Sequence, residues 1–256
     1  MKKGTKILLT ILIIILAAVF AVSAYKLIST LHQYKVADDM YSNLNNRFVT
    51  GRQTDAQSPD EWDMETSPIT VDFDELLKQS SDVVGWIYSA DTPINYPVVR
   101  GEDNDFYLHR FMDGSYNPSG TIFLDIACEG DFTSRNTIIY GHHMNDGSMF
   151  ASLSDYRKQG QEYYDQHSVM YLNTPTQNYR IEVFTGFITD AESDVYTVSF
   201  SSEESFTNYI RRMKSHSVFE SDVEVQPEDN IVTLSTCAYD FENARFVVLG
   251  RLVPIN

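Results

Sequence analysis

The chain has 256 residues, 43% of them hydrophobic, enough for one medium-sized folded domain together with an anchoring segment. Its 36 acidic and 19 basic residues give a formal charge of −17. That charge serves solubility, argues against docking of the main domain on anionic lipid, and excludes a nucleic-acid binder, since neutralising phosphates needs clustered Lys and Arg. Two cysteines, Cys128 and Cys237, are too few for a disulfide-rich scaffold, and spacing alone leaves one bridge or two free thiols open.

In chain order, Lys2, Lys3 and Lys6 precede an apolar run from Ile7 to Ala24, broken only by Thr10 and Ser23. The run is near the length a helix needs to cross a bilayer, and the lysines before it favour a cytoplasmic N-terminus. Val22-Ser23-Ala24 also resembles a signal-peptide cleavage site. Leu27, Leu31, Tyr34, Ala37, Tyr41 and Leu44, however, carry a helical period onward, which favours an uncleaved anchor. Either way the rest of the chain is exported. The expected organisation is an anchor over 1–25, a helical stalk and linker over 26–68, and a folded domain over 69–256. Residues 51–68 are polar and acidic with two prolines, as linkers are.

Beyond the linker, strand signals dominate. Val84–Ser89, Asn95–Arg100, Gly120–Ala127, Asn136–Tyr140, Val169–Asn173, Tyr179–Thr189, Asn230–Cys237 and Arg245–Val253 are rich in Ile, Val, Tyr, Phe and Thr and bounded by turn residues. Eight strands in this length predict a barrel or sandwich, here a mainly β barrel with helical insertions. Helices are expected at Phe73–Gln79, around the face Met149, Phe150, Leu153 and Tyr156, and around Phe206, Tyr209, Ile210 and Met213. Ser201 followed by Glu204 offers that last segment a capping box.

The chemistry starts at Asn230–Cys237. Alternation puts Ile231, Thr233, Ser235 and Cys237 on one face. Seven residues follow, Ala238 to Ala244, and Arg245 then opens the next strand. If the two strands form a hairpin, Cys237 and Arg245 meet at its mouth, where a guanidinium can stabilise a thiolate or the oxyanion it creates on a carbonyl. Taken alone, a cysteine at a strand end is a small buried hydrophobe and an arginine at a strand start is a solvated cap. A nucleophilic thiol also needs an acid/base, and Asn136–Tyr140 runs into Gly141-His142-His143. These histidines could equally be loop residues. A zinc site lacks a third ligand at a supporting spacing. His32, His109, His167 and His216 are isolated and read as structural or surface residues.

Thr233-Leu-Ser-Thr-Cys237 resembles the TLxTC signature of sortases, Arg245 stands on the following strand as that family requires, and Tyr140-Gly-His142 is similar to its catalytic histidine segment. Gly120–Asp125 and the helical segment 202–214 resemble class B members. The resemblance covers roughly 69–256. It implies a sortase-like eight-stranded barrel and a cysteine transpeptidase with Cys237 as nucleophile, His142 as acid/base and Arg245 as the oxyanion or substrate-positioning group. Ser235 and Thr236 would line the substrate site. Class B members often carry Asn where this chain has His143, so which histidine acts stays open. The helper Asp of some members is replaced by Tyr239, and Asp240 is out of register.

The resemblance further implies substrates that are exported proteins with a C-terminal sorting motif, and an acceptor amine from a peptidoglycan precursor or a pilin. It implies no nucleotide, metal or organic cofactor, and an active thiol that must not pair with Cys128, which is expected to be free. Two rivals stand beside this reading. One is a membrane-tethered Cys/His cell-wall peptidase or L,D-transpeptidase, whose compact His-Gly-Cys motif is absent. The other is a non-catalytic surface β-domain.

Overall fold

A computed structural model describes residues 3–51 and 65–256. The chain divides into two compact units, Met1–Ser42 and Asn43–Asn256. Helix α1 (Lys3–Phe48) supplies the first unit and the opening turns of the second. Its apolar side chains from Ile7 to Leu31 are largely exposed, and it is long and apolar enough to cross a membrane. Most of the expected linker, residues 52–64, lies outside the described residues. The second unit begins before Ile69, because β1 (Val49–Gly51) pairs antiparallel with β2 (Ile69–Val71).

The remaining strands close into an eight-stranded barrel. They are β3 (Val83–Tyr88), β4 (Asn95–Val99), β5 (Ile122–Leu124), β6 (Asn136–Tyr140), β7 (Val169–Asn173), β8 (Asn178–Asp190), β9 (Ile231–Cys237) and β10 (Ala244–Ile255). Around the barrel the order is β10-β8-β7-β3-β4-β5-β6-β9. Each corresponds to one predicted strand. Closure leaves no free sheet edge, so every strand can bury β-branched and aromatic residues. Trp86, Ile87, Val98, Ile122, Ile138, Leu172 and Leu234 have no measurable exposure.

Local departures from the expected elements have local causes. β5 is shorter than Gly120–Ala127. A turn at its start closes through Gly120 N–H to Asn117 O, and one at its end through Cys128 N–H to Asp125 O. Helix α2 spans only Phe73–Leu76. Met149 adopts positive φ and stays outside the helix, so its apolar face is completed by a short 3-10 turn over Ala151–Ser154 and by α3 (Asp155–Lys158). Helix α4 (Gln161–His167) was not signalled by the sequence pattern. The cap of α5 (Glu203–Lys214) is Ser202, one residue later than expected, and Ser205 rather than a Glu closes the box. That helix buries Phe206, Tyr209, Ile210 and Met213 against Phe184, Phe187, Ile231, Val247 and Leu249. It thereby braces β8, β9 and β10, the strands that present the site.

Two pairings position the chemistry. β9 and β10 form an antiparallel hairpin with Cys237 opposite Arg245. On its other side β9 runs parallel to β6, with Tyr140 opposite Ser235. Asn136 locks this second pairing. Its side chain receives the Thr233 hydroxyl at 2.8 Å and donates to the carbonyls of Val195 and Thr197 at 3.1 and 3.0 Å.

Candidate active site

Cys237 is the last residue of β9, and Arg245 faces it from β10. Ala238 N–H bonds to Ala244 O at 2.9 Å, so Ala238 and Ala244 are a hydrogen-bonded pair. Antiparallel ladders alternate, which makes Cys237 and Arg245 a non-hydrogen-bonded pair. Such partners lie about 4.5 Å apart at Cα and carry their side chains closest together. Arg245 is half-buried and anchors one guanidinium nitrogen on the Ala244 carbonyl at 3.0 Å. Cys237 is half-buried as well. Both cysteines are free thiols. Cys128 is buried, with a thiol pushed up to about 11 by desolvation, and its sulfur accepts the Ile138 N–H.

The histidines enter from the end of β6. Gly141 N–H bonds to Ser235 O at 3.0 Å and carries the parallel ladder one step past the strand. Counting on from Tyr140 opposite Ser235 brings His142 level with Cys237. Glycine fits closely at 141, because a Cβ there would lie 2.5 Å from Ile122 Cδ1 and 2.6 Å from the Phe150 ring and would push both aside. The loop returns through Phe150 N–H to His142 O and through Met149 N–H to the Tyr96 hydroxyl.

The two imidazoles are held in opposite tautomers. His142 Nε2 lies 2.6 Å from the Leu108 carbonyl, and since a carbonyl only accepts, Nε2 carries the proton and Nδ1 has the lone pair. His109 stacks on the His142 ring with centroids 5.6 Å apart. Burial holds His142 below the usual imidazole range. The Leu108 carbonyl opposes this, and the His109 charge adds to it. His143 instead places Nδ1 3.1 Å from the Cys237 carbonyl, so its proton is on Nδ1. Burial, then the Lys158 charge, hold it low too. Neutral imidazoles are therefore the resting state at neutral pH.

Ser235 and Thr236 are both buried in the β9 wall. The Ser235 hydroxyl bonds to the Tyr196 hydroxyl at 2.9 Å, and burial raises the Tyr196 phenol above its ordinary value against the opposing Ser235 bond and Arg245 charge. Tyr239, from the loop after Cys237, packs edge-on against His143 at 5.6 Å between centroids. In the same loop Asp240 pairs with Arg157 of α3 at 2.6 Å. Leu108, His109 and Tyr196 have no local sequence signal for these positions, because each reaches the site across the fold. Among the described residues no group of His, Cys, Asp and Glu could hold a metal ion.

A cysteine, an arginine and two histidines thus gather at one end of β6, β9 and β10. A family model described as a sortase domain matches residues 90–253. The chain belongs to the sortase family. Sortases of class B are its relatives. It is 33% identical over 226 residues to a sortase B of Listeria monocytogenes, covering 86% of this chain and 90% of that one. With a Staphylococcus aureus sortase B it shares 30% identity over 252 residues, covering 97% and 98%. Among solved structures, a sortase B from B. anthracis superposes with TM-score 0.72 at 32% identity, covering 88% of this chain and 99% of that one. The S. aureus sortase B–substrate complex gives 0.68 at 32%, covering 72% and 85%. This sortase is accordingly a cysteine transpeptidase built on the sortase B barrel, from a family of enzymes that work at the cell surface.

Proposed function

We propose that Cys237, His142 and Arg245 carry a two-step acyl transfer between an exported protein and a cell-wall amine. The observation that supports it best is the side-by-side pairing of Cys237 with Arg245 beside the end of β6. In the first step the Cys237 thiol passes its proton to the His142 Nδ1 lone pair, and its sulfur attacks the carbonyl of a residue inside a C-terminal sorting motif. Arg245 stabilises the oxyanion of the tetrahedral adduct. The C–N bond breaks, His142 delivers a proton from Nδ1 to the leaving amine, and a thioester remains. In the second step an amine attacks the thioester, His142 Nδ1 takes its proton, and the C–S bond breaks as that proton passes to the departing sulfur, which restores the thiol and the neutral imidazole and leaves a new amide. The Leu108 carbonyl keeps Nε2–H occupied in both directions, so Nδ1 is the nitrogen that shuttles.

The partners follow from the same chemistry and from the relatives. One S. aureus sortase B structure is a substrate complex, and another sortase B structure is a complex with triglycine, a ligand that carries a free amine. For this chain we assign an exported protein as acyl donor and a peptidoglycan-precursor or pilin amine as acceptor. Ser235 and Thr236 form the wall behind the bound motif. Helix α1 would act as a single-pass anchor, with the lysines on the cytoplasmic side and the barrel outside. This keeps enzyme, donor and lipid-linked acceptor at one surface and raises their effective concentration.

A panel of sorting-motif peptides against the barrel domain tests this directly. Cys237→Ala is expected to remove thioester formation, read by mass spectrometry, and all turnover. His142→Ala should remove turnover with the fold intact. Wild-type turnover by Cys237→Ala would overturn the mechanism, and an active His142→Ala would move the acid/base role elsewhere.

A further inference from the structure

His143 touches the nucleophile's own main chain, and the ladder geometry says what that contact replaces. Because Cys237 and Arg245 are a non-hydrogen-bonded pair, the N–H and C=O of Cys237 point away from β10 and toward β6. A parallel ladder continued past Gly141 N–H to Ser235 O would next offer the Cys237 carbonyl the main-chain N–H of residue 143. Here the loop turns back instead, with Met149 bridged to His143 and Phe150 N–H bonded to His142 O. The donor that reaches the Cys237 carbonyl is the imidazole Nδ1–H, at 3.1 Å.

We propose that His143 is a positioning residue for the transpeptidation, its side chain standing in for the missing rung of the β6–β9 ladder and fixing the Cys237 backbone. This rests on the reading of Cys237 as nucleophile. The imidazole is itself held, since Tyr239 packs edge-on against its ring and the Tyr239 loop is tied to α3 by Arg157 and Asp240. Without the tie, Cys237 is free on its β6 side at the end of its strand. Its sulfur is then no longer held to one place relative to Arg245 and His142. The assignment also divides the work of the paired histidines. His142 presents a free Nδ1 lone pair for proton transfer, while His143 spends its Nδ1–H on a carbonyl.

The amide nitrogen of an asparagine stands at the same point along the side chain as Nδ1 of a histidine and is a donor. His143→Asn therefore keeps the rung without an imidazole, and His143→Ala removes both. With a sorting-motif peptide as probe, His143→Ala is expected to lower kcat about 10- to 100-fold, the scale of a small misplacement of a reacting group. KM should stay within about twofold and both limbs of the pH–rate profile should remain. His143→Asn should recover kcat to within about threefold of the parent. If His143→Asn is as slow as His143→Ala while its melting temperature matches the parent, the imidazole itself transfers protons and the proposal fails. Parent-like kcat in His143→Ala overturns it as well. Turnover by Cys237→Ala would instead overturn the underlying mechanism, whatever the His143 series shows.

Discussion

Cys237 and Arg245 lie on a strand pair, whereas His142 and His143 lie in the first residues after a strand, and the two halves of the site are held by different forces. The cysteine–arginine half is fixed by main-chain register over seven consecutive pairs, from Arg251 opposite Ile231 to Arg245 opposite Cys237. A slip of one residue would turn every side chain of β9 to the wrong face, so this half is specified by the whole barrel wall. The histidine half is held by single side-chain bonds to carbonyls far away in sequence, Leu108 for His142 and Cys237 for His143. Under the proposed mechanism the contrast separates a nucleophile set by strand register from an acid/base set by side-chain bonds, and it sets where mutations should damage chemistry and where they should damage stability.

The largest effect is expected on the rigid half. Arg245→Ala should cost roughly 2.7–4 kcal/mol of transition-state stabilisation, read as kcat/KM with a sorting-motif peptide, and leave the melting temperature near that of the parent. A large loss of stability instead would mean that Arg245 serves the hairpin and not the oxyanion. Next comes the hinge between the halves. Gly141→Ala forces a Cβ into Ile122 and the Phe150 ring, so it should lose about 1–3 kcal/mol of stability by overpacking, measured by denaturant unfolding. Activity should fall with it because His142 and His143 follow directly. An unperturbed Gly141→Ala would show that the loop can move without consequence, erasing the distinction between the halves.

The smallest effect concerns titration. Both imidazoles are held below their ordinary 6.5, chiefly by burial. Between those lowered values and 6.5 the unfolded chain binds more protons than the native one. Stability is therefore fully present above 6.5 and declines as pH falls through it toward the native values. Thermal melts at about pH 7.5 and about pH 5.5 bracket the step, and replacing both histidines by Asn should flatten the difference. A difference unchanged in the double variant would place the acid sensitivity on other groups.

How much of this the sequence carries follows the same division. All eight barrel strands are legible because β-branched and aromatic runs between turns are a local signal, and the Cys237–Arg245 pairing follows from counting across a hairpin. The family resemblance rests on those same residues. The parallel β6–β9 pairing has no such signal, since β7, β8 and α5 intervene in the chain between its partners. The supports of the histidines are less visible still. Any residue has a carbonyl, so nothing marks Leu108 as the acceptor for His142. His109 reads as an isolated structural or surface histidine until the fold stacks it on His142. The cap of α5 moved by one residue because Ser201 and Ser202 both offer a hydroxyl and the helix start decides between them.

The β6–β9 pairing has a consequence for the order in which the molecule comes together. Of all neighbouring strands in the barrel, these two are the most widely separated along the chain. The entropic cost of closing a loop rises, slowly, with its length, and it must be met before the contact is made. The β9–β10 hairpin can bring thiol and guanidinium together by itself, but the histidines reach them only when β9 docks on β6. A chain in which only that hairpin has formed holds a cysteine and an arginine with no histidine beside them. Under the proposed mechanism, activity would arrive with the β6–β9 pairing, which makes its appearance during refolding a readout of that pairing.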